Sequence, residues 1–167
     1  MKAKAISKTK ISATMKDGLL ECNTNGGDES LLYTEMFGVD DSSAFGLLLT
    51  QAANSSSIPK TDDKYNAVMP LLLDIASQDA LEGMLAVQMV ATHNLAMEMV
   101  KRALVAGQTV EGVNNNVNRS TKLMNTFKGQ VETLQKYRNK GLQTIQVQHV
   151  TVNDGGQAVV SNVNGGE

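Results

Sequence analysis

The chain has 167 residues, a formal charge of −2 and 41% hydrophobic residues, which is enough for one ordinary domain and too balanced in charge to steer the whole molecule toward nucleic acid or acidic surfaces. It holds nine Met and no Trp, with three Phe and three Tyr, and a core of Met, Leu, Val and Ala suits packed helices better than an aromatic-walled ligand cavity. The single cysteine, Cys22, excludes an internal disulfide and a thiolate metal cluster.

Residues 1–30 read as a disordered tail, because a polar segment buries too little apolar surface to offset its ordering entropy. Lys2, Lys4, Lys8, Lys10 and Lys16 make its start basic, and an acidic zone follows from Asp17 to Asp41. No apolar run of signal-peptide length follows the lysines, and no stretch approaches the roughly 20 apolar residues of a membrane span. The expectation is a cytoplasmic protein with no membrane association. Cys22, in a polar stretch without a basic neighbour, reads as an exposed thiol of ordinary reactivity.

Residues 31–78 read as short helices and linkers. One amphipathic helix is predicted from Ser43 to about Ala53, capped by Asp41 or Ser42 and carrying Phe45, Leu48 and Leu49. Asn54 to Pro59 is a linker, and a second helix covers Asp63 to Ala76, with Pro70 kinking or restarting it.

Residues 79–141 are predicted to form a long antiparallel helical hairpin. Asp79-Ala80-Leu81-Glu82 resembles a capping box in which Glu82 reaches back to the amide of the cap. The first helix runs to Ala106 and stops at Gly107. Its apolar residues cover nearly every face, so more than one neighbour has to bury it. In the second helix, Val110, Val113, Val117, Met124, Phe127, Val131 and Leu134 recur at alternating steps of three and four, with Ser120 in the gap. That is the seam of a coiled-coil-like helix. Gly141 ends it.

Residues 142–167 change character. Gln143 to Val152 is β-branched and alternating, Asn153-Asp154-Gly155-Gly156 supplies a tight turn, and Gln157 to Val163 is a second strand, so a C-terminal β-hairpin is predicted. A phase shift between Val147 and Val150 marks a bulge near His149. A lone two-stranded ribbon is marginal in water, so this one calls for the helices or for hairpins of other subunits. The fold class is therefore mainly α: short helices, a long helical hairpin and a C-terminal β-hairpin behind a disordered N-terminus.

No motif names a reaction. His93 and His149 are the only histidines, and neither belongs to a zinc-binding helix pattern; both read as packing or hydrogen-bonding residues. Gly26-Gly27 and Gly155-Gly156 lack the lysine and helix start of a phosphate loop, and Glu82, Glu98, Glu111 and Glu132 read as solvated, unpaired carboxylates. No catalytic, cofactor-binding or metal-binding residue is assigned. Arg119, Lys122, Lys128, Lys136, Arg138 and Lys140 face one acid, Glu132, between residues 119 and 140. In a ring of subunits these cations would repeat as a basic belt able to contact phosphates or DNA. Alternatively, they serve as a solvated helix face or neutralise the acidic zone of the same chain.

Several stretches resemble a family of bacterial hypothetical proteins common in alphaproteobacterial genomes. Tyr137-Arg138 with Lys140-Gly141, then Val147-Gln148-His149-Val150 and Gly155-Gly156-Gln157-Ala158, carry its YR-x-x-G, V-x-HV-x-V and GGQA-x-V-x-NV pattern, and Met84-Leu85-Ala86 with His93 is similar to its preceding part. The likeness spans roughly residues 79–163 and implies no established activity. A helical hairpin followed by a β-hairpin also resembles, in architecture alone, the small terminase subunit of phage packaging machines, although no helix-turn-helix precedes Asp79. The functional expectation is a non-catalytic structural or adaptor protein that assembles with itself or with another protein. Its candidate assembly residues are Met124, Phe127, Val131 and Leu134 on the helix, and Val147, Val150, Val152, Val159 and Val160 on the hairpin. DNA association is the alternative.

Overall fold

The computed structural model describes residues 11–17, 19–24 and 26–139, which are mainly helical with a small antiparallel sheet. The predicted C-terminal hairpin, and with it Lys140, His149 and the five candidate valines from Val147 to Val160, lies outside them.

The first departure from the sequence reading is in the expected tail. β1 (Ser12–Lys16) pairs antiparallel with β2 (Leu19–Asn23), Ser12 opposite Asn23 and Lys16 opposite Leu19. The two strands are joined through Asp17, which adopts φ 51°. Such a ribbon does not hold itself. A helix holds this one: Asn66 accepts from the Ala13 amide (2.9 Å) and donates to the Ala13 carbonyl (3.1 Å), while Asp62 accepts from the Met15 amide (2.9 Å). The side chains of the helix thus occupy the outer edge of β1, where a third strand would otherwise bond. Ala13 is fully buried beneath this contact.

α1 (Glu29–Phe37) follows, capped by Asp28, whose carboxylate accepts from the Ser30 amide. It ends at Gly38 with φ 64°, the left-handed geometry that glycine adopts without steric cost. Gly38 has a second reason to be glycine. A Cβ there would sit 2.3 Å from the Asp79 amide nitrogen, so the end of α1 lies directly on the corner before the fourth helix. α2 (Ser42–Asn54) is capped by Asp41, which accepts from the Ala44 amide at 2.8 Å, as its sequence predicts. α3 (Thr61–Ile75) carries Pro70 on its exposed side without restarting.

These three helices and the ribbon enclose the main core. Leu32, Met36 and Phe37 of α1 meet Phe45 and Leu49 of α2 and Leu72 of α3. Phe45 stacks with Tyr33 at 4.3 Å between ring centroids and meets Phe37 edge-on at 5.8 Å, so three of the six Phe and Tyr are gathered in one place. α4 (Ala80–Ala103) closes the core with its first half. Gly83 lets the helix approach the Phe37 carbonyl, and Ala86, Val87 and Val90 join the cluster. Asn94, bonded to the Ser55 hydroxyl at 3.0 Å, marks the last tie between α4 and the end of α2. α5 (Val110–Arg138), the antiparallel partner that the seam pattern predicts, accompanies α4 along its whole length, from Glu82 at its first turn. Gly107, at φ 80°, turns the chain between them, and Thr109 caps α5 by accepting from the Gly112 amide.

Candidate functional site

The helical hairpin carries most of the residues that the sequence singled out, and its root is locked by charge. Asp79 caps α4 by accepting from the Glu82 amide at 3.0 Å. The return bond differs from the predicted box: Glu82 Oε2 accepts from the amide of Gln78, one residue before the cap, at 2.9 Å. The same oxygen accepts from Arg138 Nε at 3.0 Å and Nη2 at 2.8 Å. Arg138 Nη2 also donates to the carbonyls of Ile75 (2.8 Å) and Ala76 (3.0 Å). Those carbonyls end α3, where backbone acceptors lack intrahelical donors and a cation is favoured. Tyr137 completes the root by donating its hydroxyl to Asp79 Oδ2 at 2.8 Å.

This arrangement corrects two expectations. Glu82 is 2% exposed and paired rather than solvated, and Arg138 is spent on it rather than offered to a phosphate. The Arg138 hydrogen bonds hold the Glu82 carboxyl below its usual range despite the opposing effect of burial. Glu98 and Glu132 are also paired, with Arg102 at 2.9 Å and Lys128 at 3.7 Å, so of the four acids read as free only Glu111 has no ion pair among the described residues. Arg119, Lys122 and Lys136 are exposed. At 100° per residue they point around more than a quarter of the α5 circumference, and Lys122 and Lys136 stand about 21 Å apart along the axis. One chain therefore carries separated cations rather than a compact belt.

The seam itself is half as predicted. Val113 and Phe127 turn toward α4, and Ser120 and Leu134 are buried. The intervening inward positions are Asn116, Leu123 and Gln130, three residues after each of the first three. Val117 and Met124, one residue further on, are left 47% and 44% exposed, Val131 is half-buried, and Val110 is 78% exposed. A step of three and a step of four from the same anchor lie 100° apart on a helix, so only one of the two can face a single partner. α4 takes the flank of Asn116, Leu123 and Gln130, and Val117 and Met124 on the other flank stay open. His93 is exposed, its ring 6.0 Å from Phe127. Near this ring pair the open side continues onto α4 with Met97, one turn on, and Leu104 seven residues later.

Cys22 departs from its reading as well. It is half-buried on β2 against the core, and burial, aided by the nearby Glu29 charge, pushes its thiol up to about 11. Among the described residues no group of three or more His, Cys, Asp or Glu could hold a metal ion, and no helix is long and apolar enough to cross a membrane. Comparison of the chain with protein-family models, curated proteins and solved structures finds no match.

The root of the hairpin is what sequence reasoning missed. A signal for it was present: Tyr137-Arg138 stood out as a motif, and Glu82 as a helix-start carboxylate. What lay beyond reach was that 56 residues of chain bring them together.

Proposed function

We propose that this protein is a non-catalytic structural or adaptor protein that assembles with copies of itself, with the helical hairpin as its assembly element. The observation that supports the reading is the open apolar side of the hairpin, Val110, Val117 and Met124 on α5 with Met97 and Leu104 on α4. Scattered apolar side chains on a surface need no partner; a row at seven-residue spacing does, because it is the pattern one helix presents to another. The C-terminal segment contributes its valines to the same assembly.

The experiment is light scattering of the full chain across micromolar concentrations, with a Val117→Asp, Met124→Asp variant beside it. The expected result is a multimer that the variant disperses while far-ultraviolet circular dichroism keeps its helical signal, since both positions are exposed in the single chain. A monomer at every concentration refutes the reading. DNA association is the second reading, carried by the exposed Arg119, Lys122 and Lys136. Salt-steep DNA binding that is lost when these three become Ala would put it first.

A further inference from the structure

α4 has three apolar sides, and two of them are covered within the single chain. Ala86, Val87 and Val90 turn into the main core. Met89, Ala96 and Met99, buried outside that cluster, lie toward α5. The third side follows the alternating steps of three and four that mark a helix seam: Leu81, Met84, Gln88, Ala91 and Leu95. Its large apolar members are bare, with Leu81, Met84 and Leu95 53%, 47% and 48% exposed. The apolar circumference of this helix calls for more neighbours than one chain supplies.

This α4 seam and the open side of α5 lie on opposite faces of the hairpin and are offset along it. Leu95 and Met97 stand 100° to either side of Ala96, so with Ala96 turned toward α5 they fall on opposite faces. Along the axis, Glu82 is level with Arg138 and His93 with Phe127, which places Met124 level with Ala96. The α4 seam therefore occupies the root half of one face. Val110, Val117 and Met124, with Met97 and Leu104, occupy the half of the other face toward the tip, at the Gly107 turn. The patches match in length, since Leu81 to Leu95 and Val110 to Met124 each span two heptads, about 21 Å.

From these features we infer that the α4 seam is a second docking surface and receives the open α5 side of another copy, so that the chains join head to tail. This deepens the self-assembly reading and rests on it. Pairing the open α5 side with its own copy would leave Leu81, Met84 and Leu95 bare in every chain, whereas one head-to-tail contact covers both patches. Charge favours the same choice. The tip carries Lys101, Arg102, Arg119 and Lys122 against Glu98 and Glu111, so two tips repel each other. The root adjoins residues 11–79, where eleven acids face only Lys16, Lys60 and Lys64, so the tip of one copy and the root of the next attract. A contact between two different patches of one molecule repeats from copy to copy, until it closes as a ring or runs on as a filament.

The test mixes two full-length variants and reads their size by sedimentation. Val117→Asp with Met124→Asp spoils the α5 side, and Met84→Asp with Leu95→Asp spoils the α4 seam; all four positions are exposed, so circular dichroism should keep its helical signal. Each variant alone should be a monomer. Their equimolar mixture should give a dimer that grows no further, because together they retain one intact patch of each kind. A seam variant that assembles like the native chain overturns head-to-tail docking and leaves self-assembly standing, and so does a mixture that gives no dimer. A native chain that stays monomeric overturns both. Cysteine variants repeat the test without new charges: on a Cys22→Ser background, Gln88→Cys and Val117→Cys chains treated with a short bis-maleimide should give a product at twice the chain mass of 17.9 kDa only when mixed. That product from Val117→Cys alone shows like faces paired and overturns the proposal.

Discussion

Replacing Arg138 with Met removes a cation from a carboxylate that is 2% exposed, while the aliphatic part of the side chain is retained. Breaking a buried pair from one side costs about 3–5 kcal/mol, because the remaining charge stays desolvated. Arg138 itself is 36% exposed, so solvent reaches the pair and brings the cost below that range, to about 2–3 kcal/mol. At 2–4 °C per kcal/mol for a chain of this size, the melting temperature should fall by roughly 5–10 °C. The pH dependence gives the mechanism away. In the native protein Glu82 titrates below its usual value, so its contribution is complete above the unfolded carboxylate range, about 4.3, and is lost as pH falls through the lower folded value. In the variant, burial without a cation pushes Glu82 upward, and acidification relieves the unpaired charge. The gap between native and variant protein must therefore narrow from pH 7 to pH 4, as read by urea unfolding at each pH. Adding Glu82→Leu to Arg138→Met should restore about half of the loss, since the orphaned charge goes with it. A gap below about 1 kcal/mol at pH 7, or one that does not change with pH, refutes the argument that this pair locks the hairpin root.

Three further outcomes follow from the structure. Gly38→Ala drives a Cβ into the Asp79 backbone at 2.3 Å while holding φ 64°, and should destabilise by about 3 kcal/mol or more, whereas Gly129→Ala on open helix surface should stabilise by about 0.5–1 kcal/mol; thermal melts of the pair test the contrast. Asn66→Ala removes both bonds to Ala13 and should cost about 1–3 kcal/mol in urea unfolding. With its thiol raised to about 11, Cys22 should react with a thiol reagent at pH 8 more than about a hundredfold slower than a free thiol of pKa 8.5, and the same Asn66→Ala variant should speed it. An unaltered rate would mean that the ribbon is held without Asn66.

What the sequence by itself determined is what short range controls. The caps at Asp41, Asp79 and Thr109 and the reversal at Gly107 set helix limits within a few residues of the expected ones, because capping partners lie within three residues. The N-terminal ribbon was missed, because the polar, lysine-rich composition argued for disorder over the turn signal of Asp17-Gly18. That competition was decided by Asn66, 53 residues away from Ala13, and two strands that are marginal alone are held once a helix bonds their edge. On α5 two flanks lie beside Val113, Ser120 and Phe127, one wholly apolar and one mixing Asn116 and Gln130 with Leu123, and periodicity cannot say which flank a partner takes. α4 took the mixed flank and left Val117 and Met124 outside. Glu82 and Arg138 were each ordinary surface charges by local rules. Tertiary structure made them a pair, because only the folded hairpin brings the last turn of α5 onto the first turn of α4 and buries the carboxylate there.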